Sequence, residues 1–510
     1  MREIFLSALM QFFTVETITA LLVGVFAGMV VGALPGLSAS MAVALLIPVT
    51  FKMGPTPGMV LLVSVYTSAI YGGSITACLI HTPGTPASAA TAIDGFPMTQ
   101  KGQGLKAVGM STIASMIGGT FSAIALLLIS PLLARVSLMF SSLEYFLLAC
   151  FGLTIIGSMS GENMVKGLMS GVVGLLLGCV GLDLVTAVPR FTFGVLALES
   201  GIALIATMIG MFSISQVLIS VEEMRAGKTT ILSDDIKGLM KGSPLPNRQE
   251  MKRVMPTIGI SSVIGLLIGI LPGAGADIGS WVAYNNAKKR SKHPETFGKG
   301  EIEGVAAAES ANNAVTGGAL IPLLTLGIPG SGTTAIMLGG MMIQGLIPGH
   351  DLFVRQGGIT YAIIMGFLIA NILMGVVGLL VAKPVTKLTV TPMAILCPII
   401  IGLSAIGSFA IQNSNLDVYM MVFFGLAGYI GRKLGFSTAP LVLGSILGPM
   451  AEKNWRQVIV ICRGDLLGYF LHRPISIVLF IMVVAALFTP VFMRYFNKKA
   501  GGNGLLEEEE

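Results

Sequence analysis

Runs of about twenty residues with almost no charged side chain recur from one end of this chain to the other, and they leave few folds open. Apolar stretches lie near 16–34, 58–80, 107–133, 143–160, 164–182, 200–221, 256–271, 315–328, 359–382, 393–411, 417–431 and 474–493. A helix of that length spans the hydrocarbon of a bilayer. Over 510 residues only 11% are charged, and mean hydropathy is +0.86. A soluble domain carries roughly 25% charged residues, because its surface must be wet. The sequence therefore predicts an all-α polytopic membrane protein of about a dozen spans.

Shorter segments at 37–51, 85–93, 274–287, 331–345 and 437–450 are too short, or too broken by Gly and Pro, to cross simply. They read as half-helices or re-entrant pieces. Irregular backbone survives at membrane depth only where protein buries it or it lines a cavity, so these pieces point to a site.

The 31 Lys and Arg outnumber the 25 Asp and Glu, giving +6. Basic residues gather in the loop holding Arg225, Lys228, Lys237, Lys241, Arg248, Lys252 and Arg253, in Lys288–Lys292, and at Arg494, Lys498 and Lys499. Each cluster flanks an apolar run, which marks cytoplasmic loops and argues against nucleic acid as a partner. The five cysteines are scattered, without metal or disulfide spacing. The apolar N-terminus lacks a small-residue cleavage pattern and reads as uncleaved.

The chain also echoes itself. Gly28-x-x-x-Gly32-Ala-Leu-Pro35-Gly36 returns as Gly265-x-x-x-Gly269-Ile-Leu-Pro272-Gly273. Gly72-Gly73 with Pro83-Gly84-Thr85 returns as Gly317-Gly318 with Pro329-Gly330-Ser331, and Leu182–Gly194 resembles Gly435–Gly444. This divides the chain into a first membrane repeat (1–221), a basic cytoplasmic linker (222–255), a second repeat (256–496) and a disordered tail (497–510). Helix parity decides whether the repeats are inverted or parallel; inversion is favoured, as in secondary transporters whose sites sit where broken helices meet.

Four segments share one grammar: Leu34–Ser40, His81–Gly95, Leu271–Asp277 and Ile328–Thr334. In each, a helix stops at Pro-Gly and a small, hydroxyl-rich helix follows. Proline removes a donor and glycine permits φ > 0. The next helix then offers free N–H groups to an anion. Ser38, Ser40, Thr82, Gly84, Thr85, Ser88, Gly330, Ser331 and Thr333 are the candidate substrate contacts. None of the four segments contains Lys or Arg. An anion held there needs other compensation, which co-bound Na⁺ or H⁺ supplies. Asp277, Asn312, Asn313 and Thr316 are the candidate cation ligands. Blander readings stand beside these: Asp277 as a helix cap, Asp94 as a turn residue, Glu309 in a wet vestibule, and the asparagines as interhelical glue. No P-loop, HExxH or GxSxG occurs in a fitting context, so ATP-driven transport and intramembrane hydrolysis are disfavoured and no enzyme is expected. A passive anion channel and a single-component organic-anion transporter remain alternatives.

The stretches GALPGLSASMAVALLIPVTF, YGGSITACLIHTPGTPASAATAIDGFPMTQKGQ, GILPGAGADIGSWVAYNNAKKRSKHPETFGKGEIEGVAAAESANNAV and PLLTLGIPGSGTTAIMLGGMMIQGLIPG resemble the large membrane subunit, TctA, of the tripartite tricarboxylate transporters. His81 stands where Asn is common in that family. The resemblance implies a multi-pass permease of the bacterial inner membrane. It implies ion-coupled import of citrate-like di- or tricarboxylates, without ATP or another cofactor. Its implied partners are a small four-helix membrane subunit (TctB-like) and a periplasmic solute-binding protein (TctC-like).

Overall fold

The computed structural model describes residues 2–34, 37–137, 139–154, 164–183, 188–226, 243–271, 275–388, 393–412 and 414–485. The described residues are overwhelmingly helical. The single ribbon among them pairs Gly181–Leu182 with Pro189–Arg190. Five helices among the described residues are long and apolar enough to cross a membrane, and shorter apolar helices accompany them. This is an all-α polytopic membrane architecture.

Ten helices build the centre. The first half contributes α1 (Val15–Gly32), α2 (Ala39–Thr50), α3 (Pro55–Ile80), α4 (Ala89–Gln100) and α5 (Gly104–Ser137). The second contributes α6 (Arg248–Ile270), α7 (Gly275–Arg290), α8 (Ile302–Leu326), α9 (Gly332–Ile343) and α10 (Gly357–Leu388). Long and short helices alternate in the same order in both sets. Their packing also corresponds: α1 lies on α3 as α6 lies on α8, while α5 crosses to α8 and α10 crosses to α3.

Glycine sets the closest of these approaches. A Cβ at Gly24, Gly28 or Gly32 would stand 2.7, 2.5 or 2.2 Å from the carbonyl oxygens of Leu61, Val65 and Ala69. At Gly265 and Gly269 it would stand 2.3 and 2.6 Å from those of Ala311 and Val315. Small residues spaced by four thus let backbones touch, which drives association where lipid removes the hydrophobic effect. The result is two helices, α3 and α8, sheathed by protein along almost their whole length.

Several sequence expectations shift. The span near 315–328 belongs to a helix that begins at Ile302, because burial inside the protein lets α8 carry Glu309, Asn312 and Asn313 through its middle. The piece at 437–450 continues to Cys462 as a 25-residue helix. The third echo has no structural counterpart: Pro189 lies in the ribbon, whereas Pro440 lies in the first turn of Thr438–Cys462. The run at 143–160 is helical from Ser142 to Thr154, and its remainder lies outside the described residues, as do residues 227–242 of the linker, the end of the 474–493 run and the 497–510 tail.

Asp94 sits inside α4 rather than in a turn and ties the halves together. Its Oδ1 accepts the backbone N–H groups of Gly298, Gly300 and Glu301, each at 2.8 Å, and its Oδ2 accepts the Tyr284 hydroxyl at 2.8 Å. Asp94→Ala would strand these donors, and a buried one left unpaired, such as the Glu301 N–H or the Tyr284 hydroxyl, costs about 1–3 kcal/mol. We expect the purified variant to melt at clearly lower temperature, as read by the loss of its monodisperse size-exclusion peak on heating.

Candidate functional site

Each half contains two interruptions, and the four resulting helix starts meet in pairs across the halves. Ser38 is the N-cap of α2, its Oγ accepting the Met41 N–H at 3.2 Å. Ser331 is the N-cap of α9 in a reciprocal capping box with Thr334. One turn in, Ser40 Oγ and Thr333 Oγ1 stand 2.8 Å apart, joining α2 to α9. The second pair joins the Pro86–Ser88 turn that opens α4 to α7, whose first turn carries Asp277. Here Thr85 Oγ1 and Ser88 Oγ are 3.1 Å apart, both buried.

Tyr66 of α3 lies beside the first pair. Its hydroxyl is 3.4 Å from Ser331 Oγ and within electrostatic reach of the Asp277 carboxylate, which is exposed at the start of α7. Among the described residues no Lys or Arg donates to any of these hydroxyls. The donors that the described residues gather at the tips are helix N-termini and neutral hydroxyls.

Other candidates make packing and backbone contacts. Gly84 and Gly330 are packing positions: a Cβ would stand 2.1 Å from Gly32 O and 2.7 Å from Gly269 O, so the backbones rather than a ligand fill that space. Thr82 donates its hydroxyl to Ile80 O at 3.2 Å. His81 is an exposed left-handed cap of α3 (φ 55°), its ring edge-on to Phe96; Gly327 closes α8 in the same way (φ 71°). Asparagine tolerates that conformation better than most residues. Pro35, Gly36, Pro272 and Gly273 lie outside the described residues.

The cation candidates separate into two places. Asn312, Asn313 and Thr316 lie together on α8, fully buried, while Asp277 belongs to the tip near Tyr66. Asn313 Nδ2 donates to Thr67 Oγ1 at 3.1 Å, Thr67 Oγ1 donates to Asn371 Oδ1 at 2.7 Å, and Thr316 Oγ1 donates to Asn313 O at 2.6 Å. This chain links α8, α3 and α10 at the centre of the molecule. The Oδ1 atoms of Asn312 and Asn313 are buried without a hydrogen-bond partner. Sequence reasoning missed Tyr66, Thr67 and Asn371, since single polar residues in apolar runs carry no signal until their neighbours are known. A separate surface cavity of about 290 Å³, lined by Arg190, Glu199 and Glu452, contains none of the candidates.

A buried core of interrupted helices, meeting tip to tip inside a polytopic bundle, is an architecture that secondary transporters use. The comparisons with known proteins make this particular. A model of the tripartite tricarboxylate transporter TctA family matches residues 18–443, and the chain belongs to that family. It is 36% identical over 455 residues to an uncharacterized 52.8 kDa protein in the TAR-I ttuC′ 3′ region of Agrobacterium vitis, covering 89% of each chain. A second Agrobacterium vitis protein, from the TAR-II ttuC′ 3′ region, is 39% identical over 212 residues, which is 42% of this chain and 87% of that one. No solved structure matches. The family assignment places the chain in a tripartite system with other subunits.

Proposed function

We propose that this chain is the large permease subunit of a cation-coupled uptake system for small di- or tricarboxylates in the bacterial inner membrane. The observation that carries the reading is the meeting of Ser40 and Thr333, 2.8 Å apart, at the starts of helices from opposite halves. Two helix N-termini and a cluster of hydroxyls suit a carboxylate, whose oxygens accept several hydrogen bonds at once. Ser38, Ser40, Thr85, Ser88, Ser331 and Thr333 supply these donors, with Tyr66 beside Ser331. The matched packing of α1–α5 and α6–α10 supports two repeats, which this reading takes as inverted in the membrane, their relative movement exposing the tips to either side. A periplasmic binding protein delivers the ligand and a small four-helix subunit completes the membrane part.

Among the described residues no Lys or Arg donates at the tips, and a co-transported cation would offset the substrate charge that neutral donors leave. Counterflow tests the reading. Proteoliposomes holding the membrane subunits and loaded with unlabelled citrate or succinate should transiently concentrate the labelled acid when the binding protein is present. A pore gives only equilibration, without saturable exchange, and that result would replace transport with the channel reading.

A further inference from the structure

The cavity of about 290 Å³ beside the ribbon lies apart from the tips and has a chemistry of its own. Leu204–Met208, Ile209–Ile214 and Ser215–Arg225 run on as one helix. At about 1.5 Å per residue it is long enough to cross the hydrocarbon. Arg225 opens the basic loop, which the positive-inside rule puts in the cytoplasm. Leu204, at the opposite end, lines the cavity, which therefore lies at the outer boundary of the bilayer. Val172, Val173 and Leu176, on the helix Met164–Gly178 that leads to it, present the exposed apolar surface that acyl chains cover.

Charge narrows the occupant. In the cavity wall Arg190 holds Glu452 through two hydrogen bonds, at 2.6 and 3.2 Å, and stands 3.3 Å from Asp183. Arg456 reaches Asp183 and Glu452 at 2.7 and 2.8 Å. Two guanidiniums thus balance two carboxylates. Glu199 is surplus. It lines the same cavity, partly buried, and among the described residues its carboxylate has no hydrogen-bond or ion-pair partner. A carboxylate drawn from water without a partner is unfavourable, and a cationic group seated beside it removes that cost. The fork of Arg190 keeps a spare Nη2 N–H beyond the bond to Glu452, which suits a phosphate oxygen. Leu177, Ile202 and Ile446 make an apolar wall for the first carbons of an acyl chain. An anionic headgroup would instead set a second negative charge against Glu199.

We propose that this cavity binds a phospholipid with a phosphoethanolamine headgroup, its ammonium on Glu199, its phosphate at Arg190 and its chains on the apolar wall. The site also touches the core. Met342, in the last turn of α9, lines it, and a Cβ at Gly339 would stand 3.3 Å from Met208 Sδ, on the helix that starts at Leu204. Because α9 begins at the Ser331–Thr333 tip, the lipid braces the far end of a tip helix. That consequence rests on the transporter reading; the binding does not.

Native mass spectrometry of the purified chain, offered phosphatidylethanolamine and phosphatidylglycerol in equal amounts, tests the site. Wild type should retain the ethanolamine lipid in preference to the glycerol lipid. Glu199→Gln keeps the shape and removes the charge, and should lower that preference about fivefold. Ile202→Trp fills the cavity and should abolish retention while the monodisperse peak persists. Equal retention of the two lipids by wild type, or a preference that survives either substitution, would overturn the site. Should Ile202→Trp fail to assemble, the isosteric Glu199→Gln still decides. Binding is read from mass alone, so absent counterflow in wild type would defeat the transporter reading without touching this result.

Discussion

Gly118→Val is expected to abolish the packed protein. A Cβ at this position of α5 would stand 2.0 Å from the carbonyl oxygen of Ser310 and 2.9 Å from its Cα, both backbone atoms of α8. Overpacking against side chains that can yield costs about 1–3 kcal/mol. Here the obstacle is backbone on a helix enclosed on all sides, so relief requires α5 and α8 to separate. That movement would pull Ser115 from Glu309 and disrupt the central polar chain through Asn313. We expect loss of the monodisperse detergent-solubilised species. Gly259→Val is the matched control: it adds the same side chain to another membrane helix, α6, where a Cβ meets nothing within 4 Å, and it should leave the protein intact. Equal behaviour of the two variants would show that α5 and α8 do not touch as described.

Ser40→Ala combined with Thr333→Val should leave assembly intact and slow carboxylate uptake by one to two orders of magnitude. Hydrogen bonds to charged groups contribute about 1.5–3 kcal/mol each, and each factor of ten corresponds to about 1.4 kcal/mol. The two residues are in contact, so their effects should not add. The first removal should account for most of the loss, and the second for less than it would alone. Initial uptake rates for the four members of the mutant cycle give this coupling directly. Independent, additive losses would mean that each hydroxyl meets the substrate, or nothing, separately.

Much of the architecture was legible because lipid imposes a simple rule on composition. Spans such as 58–80, 359–382, 393–411 and 417–431 appear as helices within a few residues of their expected ends. The rule fails where a helix is surrounded by protein instead of lipid. The polar stretch Glu309–Asn313 hid the first half of α8, although burial against α5 and α6 makes that stretch the centre of the molecule. The breaks themselves were also legible, since Pro-Gly followed by small hydroxyl residues has a local backbone meaning. Their partners were not. Nothing local says that α2 meets α9 or that the start of α4 meets α7, because that pairing comes from how two halves embrace. Gly84 and Gly330 show the same limit: their lack of a side chain was visible, but whether a ligand or a carbonyl fills the space depends on Gly32 and Gly269, far away in sequence.

Cross-linking tests the joint between the halves most directly. In a background where the five free cysteines are replaced, Ser40→Cys with Thr333→Cys should place two thiols within disulfide reach in native membranes. Mild oxidation should join them, and saturating carboxylate substrate should slow the reaction by occupying the gap. A Ser74→Cys, Ser111→Cys pair, built where the hydroxyls are 2.5 Å apart, provides the positive control. Efficient bonding of the control pair with no bond between positions 40 and 333, with or without substrate, would contradict the meeting of the two helix ends.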